Sequence, residues 1–357
     1  MHLFQKWAAA FRSGAAFRKV AIWLAVISAA VYLIVLPSVD SYFAQFEERP
    51  TSFVVEDLNA FEIARIRSAK LVVFAIFAYL GACVASFLNV VAASAPRGEA
   101  IGLRSSFCPK CEQRICRLDN IPLLSYLMLQ GRCRSCGVVI PVRYFVVELI
   151  GFGIFASLFL YELTTGAANV PGFLHYTYTG IVWIILYAKW PVIGIFVFHA
   201  FLFSALLMFV LMEVDGLRCP RWMSFSLVAL FAIIATLGPH MQPTAFDDRL
   251  PFELSKSLPP VVARAVTSFV GGAVGALIAF AIGRFRWLSP LSVAWILLGV
   301  SLGWHAIVMI GLLTLLVWIA GRTGGKSRVP EWFGATAMLF LAATIHHPLW
   351  NLLSQLW

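Results

Sequence analysis

Four cysteines, Cys108-Pro-Lys-Cys111 and Cys133-Arg-Ser-Cys136, form two short pairs separated by 21 residues. Thiolates at that spacing suit a tetrahedral four-cysteine zinc site, because each tight turn offers two ligands and the intervening chain folds the pairs together. Redox chemistry is the other use of paired thiols, but a complete four-thiolate set closes the coordination sphere and is characteristically structural. The remaining thiols, Cys83, Cys116 and Cys219, show no disulfide framework, which agrees with a reducing compartment. Acids come next because they are scarce, 17 in 357 residues. Glu213 and Asp215 end an apolar run, where a carboxylate is either a solvated helix end beside basic residues or an active-site acid. Glu148 lies near a membrane boundary and suits the positive end of a helix dipole. His199, inside an apolar run, fits an interhelical hydrogen bond. The adjacent pair His346-His347 suggests a metal, yet no third ligand is within sequence reach, and an interfacial position is expected. Asn89 and Asn120 fit polar anchors at membrane and loop boundaries.

The elements that must position these residues are membrane helices. Hydrophobic residues make up 61% of the chain and charged residues only 12%, about half the charge of a soluble domain. The length accommodates roughly eight spans of about 20 residues. Apolar runs predict spans over 21–36, 71–93, 145–161, 191–212, 222–237, 262–282, 291–320 and 332–345. The run 291–320 is too long for one ordinary span and divides near Gly303-Trp304. Residues 172–190 hold a further aromatic, interfacial segment, so the expectation is an all-α, polytopic protein of about eight to nine transmembrane helices. Gly271, Gly272 and Gly275 predict close helix packing. No small-residue cleavage signature follows the run 21–36, so a retained first helix is expected rather than a signal peptide. The loop holding the cysteines carries Arg97, Arg104, Lys110, Arg114, Arg117, Arg132, Arg134 and Arg143, whereas 37–70 and the Asp247-Asp248 loop are acidic. The positive-inside bias puts the cysteine loop in the cytoplasm. The formal net charge of +10 follows from this topology rather than from nucleic-acid binding.

An ordered string of motifs then carries a resemblance. Gly81-Ala-Cys-Val-Ala-Ser86-Phe87-Leu88-Asn89-Val90-Val91 is followed by Pro96-Arg97-Gly98 and the first cysteine pair. Asp119-Asn120-Ile121-Pro122-Leu123-Leu124-Ser125-Tyr126-Leu127, Gly131-Arg132-Cys133, and Arg143-Tyr144 before Glu148-Leu149 come next. Together they resemble the type IV prepilin leader peptidase/N-methyltransferase family, nearly without gaps over 81–150. The later membrane part is similar in layout, including the Val329-Pro330-Glu331-Trp332-Phe333-Gly334 stretch. The resemblance implies a presenilin-like membrane aspartic peptidase of the bacterial inner membrane, which cuts leaders from pilin-like and pseudopilin precursors for type IV pili or type II secretion. It implies structural zinc on Cys108, Cys111, Cys133 and Cys136. It also implies methylation of the new N-terminus from S-adenosylmethionine, with Glu148 a candidate for that site.

Aspartic cleavage needs two carboxylates, one ionised to activate water and one protonated to polarise the scissile carbonyl. Register with the family's first acid falls on Glu213, seven residues before Pro220, with Asp215 beside it. The family's second acid belongs to a Gly-x-Gly-Asp turn, and register from Leu302-Gly303-Trp304 sets Pro290-Leu291 there instead. The second catalytic Asp is absent, and the only later acids are Asp247, Asp248, Glu253 and Glu331. Three functions follow as expectations: a family enzyme with an altered or lost peptidase centre, a noncatalytic zinc protein that holds pilin-like helices during pilus or secretion assembly, and an unrelated transporter or regulator. The motif string argues against the last. The expected organisation is a basic N-terminal segment, first helix and outer loop over 1–70, an N-terminal-like domain over 71–160 with the zinc loop at 96–144, and a peptidase-like membrane domain over 161–357.

Overall fold

The computed structural model describes residues 29–43, 60–99, 110–173, 188–238, 240–242, 259–282, 289–322 and 334–354, together with Trp23, Ile27, Phe107 and Cys108. Asp247, Asp248, Glu253 and Glu331 lie outside the described residues. The helices are α1 (Leu36–Phe43), α2 (Ala60–Ser94), α3 (Leu124–Met128), α4 (Val142–Leu158), α5 (Trp190–Val214), α6 (Arg221–Leu237), α7 (Pro260–Ala281), α8 (Pro290–Arg322) and α9 (Ala335–Ser354). Among the described residues there is no extended strand, only the isolated bridges Phe107↔Arg114 and Arg132↔Val139. Five of the described helical segments are long and apolar enough to cross a membrane, and Arg221–Leu237 is a shorter apolar helix. The protein is an all-α integral membrane protein.

Three expected boundaries move. The first helical stretch continues through Pro37 to Phe43, past the expected end at 36, and α2 starts at Ala60 rather than 71. Glu62, Arg65, Arg67 and Lys70 therefore stand on a helix and not in a loop; these residues have adequate helix propensity once the apolar run that follows them is anchored. At the other end, α9 runs to Ser354, nine residues beyond the expected 345, and carries Pro348 within it.

The chain separates into two compact units. One comprises 1–77 with 106–146, the other 78–105 with 147–357. Among the long apolar helices α5 is the most deeply buried, with 83% of its apolar stretch buried against 28% for α7. Lipid and helix surfaces are equally apolar, so packing depends on close approach rather than on water exclusion. Glycines supply it. A Cβ on Gly271 of α7 or Gly299 of α8 would run into the other's carbonyl, and one on Gly275 would meet the Trp295 carbonyl. Gly81 of α2 and Gly151 of α4 meet in the same way.

The expected division of the run 291–320 occurs at Gly303, whose φ of 84° and ψ of 174° are non-helical. Only glycine adopts that backbone without strain. A break inside a membrane leaves carbonyls that need donors, and the buried Gln242 amide donates to the Val300 carbonyl and to Ser268 Oγ. Arg264, 9% exposed, likewise donates to Thr236 O near the end of α6 at 2.8 Å.

Candidate functional site

The two cysteine pairs sit in turns built to one pattern. Cys108 N donates to Gln113 O (3.0 Å) while Glu112 N donates to Cys108 O (2.9 Å). Cys133 N donates to Val138 O (2.8 Å) while Gly137 N donates to Cys133 O (3.0 Å). Each turn needs a left-handed residue at its fifth position, Glu112 at φ 53° and Gly137 at φ 67°. The backbone N–H groups of such a turn point at the first sulfur. Those of Cys111 and Lys110 pull the Cys108 thiol down to about 6, which favours a thiolate there. The four sulfurs all lie within 4.8 Å of one another, with Cys108 and Cys136 at 3.7 Å. Four thiolates that close repel one another unless a cation sits between them, so the donor set fits a closed metal site.

The residues between the turns brace them. Arg134 donates twice to the Asp119 carboxylate, at 2.7 and 2.6 Å, and holds its pKa below the usual carboxylate range. Ser125 Oγ accepts from Ile121 N (2.8 Å) and donates to Leu118 O (3.0 Å), while the Tyr126 ring stacks on Phe145 at 5.2 Å. Gly131, at φ 65°, leaves room for the Tyr126 hydroxyl where a Cβ would clash. The Asp119-to-Tyr126 and Gly131-Arg132 motifs are thus the packing of this module.

Glu213 lies in the last turn of α5, half-buried, and Asp215 caps that helix in an exposed position. Glu213 Oε2 accepts from Thr336 N at 2.8 Å, so the carboxylate rests on the N-terminus of α9. Gly334 lacks the Cβ that would collide with it. A carboxylate at a helix N-terminus meets orphan N–H groups and the positive end of the dipole. Where the family register calls for the second acid, Ser289 Oγ accepts from Ser292 N at 3.2 Å and Pro290 opens α8, with Leu291 buried. A serine cap and a starting proline form an ordinary helix start there. Glu148, 9% exposed, lies in the second turn of α4, beyond the first-turn positions that a dipole favours.

Sequence reasoning missed a third grouping. His346 and His347 are buried rather than interfacial, at 1% and 3% exposure, and His347 does have partners. The end of α4 continues as a π-helical turn, Phe159–Leu163, that brings Glu162 inside. Its Oε1 is hydrogen-bonded by His199 Nδ1 from α5 and by His347 Nε2 from α9, the latter at 2.8 Å. His199 makes the interhelical bond expected of it. The only sequence hint was a Glu inside an otherwise apolar stretch. Beside His347 runs an apolar cavity of about 380 Å³, lined along α4, α5 and α9 by residues such as Ile154, Leu207, Val214, Phe340 and Leu341.

Comparison with known proteins bears on the first grouping. Residues 79–162 match the family described as the bacterial peptidase A24 N-terminal domain. The chain carries that domain. A prepilin leader peptidase/N-methyltransferase of Myxococcus xanthus is 52% identical over 87 residues, 24% of this chain and 26% of that protein. One of Vibrio cholerae is 41% identical over 85 residues, 22% and 34% of the two chains. A type 4 prepilin-like proteins leader peptide-processing enzyme of Escherichia coli is 43% identical over 88 residues, 20% and 33%. The chain thus spans about a quarter to a third of the length of these relatives. No solved structure matches it. The A24 N-terminal domain includes the cysteine module and Glu148 and ends at Glu162; Glu213, His199 and His347 lie outside it.

Proposed function

We propose that this is a prepilin-peptidase-family protein of the bacterial cytoplasmic membrane that engages pilin-like or pseudopilin precursors. The observation that carries the proposal is the matched 79–162 segment with its four thiols drawn together. In this reading Cys108, Cys111, Cys133 and Cys136 hold structural zinc, and the arginine-rich loop around them is cytoplasmic. S-adenosylmethionine would supply a methyl group to the precursor's N-terminus, with Glu148 the carboxylate assigned to its site. Glu213 and Asp215 are the acids assigned to any peptide cleavage.

A second reading, that precursors are held without being cut, draws support from two particulars. The Glu213 carboxylate is engaged by the α9 N-terminus, and the family's second acid is replaced by the Pro290-Leu291 helix start. Incubating the reconstituted full chain with pilin-like precursors, then reading their N-termini by mass spectrometry, decides between the two. A shortened precursor, with cleavage lost in both Glu213→Gln and Asp215→Asn, establishes a peptidase. An intact precursor that co-purifies establishes a holding function, and neither cleavage, methylation nor co-purification overturns the proposal.

A further inference from the structure

Glu162, His199 and His347 come from three separate elements and are 0%, 1% and 3% exposed. Three of their donor atoms converge. His347 Nε2 lies 2.8 Å from Glu162 Oε1 and 3.4 Å from His199 Nδ1, and His199 Nδ1 is bonded to the same carboxylate oxygen. Two imidazole nitrogens and one carboxylate oxygen facing a common point form the donor set of a three-ligand zinc site.

Hydrogen bonding alone uses the carboxylate incompletely. Glu162 Oε2 is buried with no partner, as are His199 Nε2 and Asn169 Oδ1 nearby. A carboxylate in a dry interior also calls for a positive partner, since an uncompensated charge there is strongly disfavoured. A divalent cation answers both observations, since it supplies the charge and engages the idle oxygen.

The surroundings are those of a held site. Asn169 Nδ2 donates to His347 O at 3.2 Å, Asn351 N donates to Asn169 O at 3.0 Å, and Asn351 Nδ2 donates to Ala168 O at 3.1 Å. These bonds fix the segment after the π-helical turn to the end of α9, so both ligand-bearing backbones are tied together. Metal bonds of about 2.0–2.2 Å require ligand atoms roughly 3.3 Å apart, so Oε1 would have to draw back from both imidazoles or yield to Oε2. At about 1.5 Å of rise per residue, His199 stands roughly 21 Å along α5 from Glu213, which separates this cluster from the acids assigned to cleavage.

We propose that Glu162, His199 and His347 form a buried binding site for a divalent transition metal of the zinc type, distinct from the four-thiol site. Imidazole donors select such metals over magnesium or calcium, which take oxygen ligands. His347 also lines the apolar cavity, so the metal would stand at one end of it.

The test uses the tag-free full chain in lipid nanodiscs, dialysed against zinc and washed, with zinc measured per chain by mass spectrometry and its ligands by X-ray absorption. The expectation is two zinc ions, with sulfur ligands near about 2.3 Å and nitrogen or oxygen ligands near about 2.0–2.2 Å. Cys108→Ser with Cys133→Ser should retain the nitrogen/oxygen-bound ion alone, and His199→Gln with His347→Gln the sulfur-bound ion alone. Failure of the four-thiol site is a separate outcome, in which wild type holds only nitrogen/oxygen-bound zinc. A purely sulfur-bound ion in wild type overturns the proposal, and that measurement stands whether or not the variants fold. Nitrogen/oxygen-bound zinc that survives the double histidine change overturns it too.

Discussion

The cysteine module and the Glu162–His199–His347 cluster both gather donor atoms within 4.8 Å, but by opposite means. In the module each pair of ligands is delivered by one turn, and the turns are closed by their own backbone bonds, Cys108 with Gln113 and Cys133 with Val138. The thiols are accessible in part, with Cys136 exposed. The cluster has no such local frame. Its ligands are up to 185 residues apart, sit on α4's extension, α5 and α9, and are wholly buried. A local site survives as long as its turns do, whereas a site made by helix packing depends on the whole bundle.

Removing ligands from each should therefore break different things, and the largest effect is expected in the module. Structural zinc in small domains contributes about 10–16 kcal/mol of binding energy to folding. Cys108→Ser with Cys133→Ser should unfold the loop between Cys108 and Pro141 and leave the long apolar helices intact, seen as new proteolytic cleavage in that stretch with only a small change in far-ultraviolet circular dichroism. In the cluster, Glu162→Ala strands two imidazoles without their acceptor. Breaking a buried charged network costs about 3–5 kcal/mol, and thermal unfolding of the detergent-solubilised protein should fall accordingly while the cysteine loop stays protease-resistant. Unchanged melting would show that the cluster does not help hold α4, α5 and α9 together.

A purely steric change gives the comparison a reference. Gly271→Val places side-chain atoms against the Gly299 carbonyl, and overpacking of that kind costs about 1–3 kcal/mol. It should lower the melting temperature without loss of metal from either site. A smaller effect is expected from Glu213→Gln, which weakens a charged contact at the start of α9. Such contacts contribute about 0.3–1 kcal/mol, and a small drop in melting temperature is the expected result whatever happens to precursor processing. The smallest change should come from Glu112→Gly. It relieves a left-handed residue in the first turn, where Gly137 already occupies the matching position of the second. A gain or loss within about 1 kcal/mol is expected, read as resistance of the loop to chelator; a large loss would show that the Glu112 side chain itself supports the module.

How much of this was legible in the sequence follows the same division. The cysteine pairs announced themselves because both ligands of a pair are fixed by a few neighbouring residues. Five apolar runs gave helices close to their expected limits, and Gly303 marked the division of α8, because hydropathy and glycine backbone freedom are local properties. Boundaries moved where charged or polar residues joined a helix anchored elsewhere, as at Ala60 and at Ser354. His347 was misjudged because its partners stand on α5 and beyond α4. Glu162 drew no attention, since a single acid in an apolar stretch says nothing about what it will face.

The amino-acid sequence by itself determined the membrane class, the helical segments and the four-thiol module, for which spacing along the chain is enough to bring ligands together. Tertiary structure alone decided that Glu213 rests on the N-terminus of α9 and that two histidines close on one buried glutamate. Those arrangements depend on which helix faces pack against each other. That choice is made by interhelical fit at residues such as Gly81, Gly151, Gly271 and Gly299, and no local pattern of residues records it.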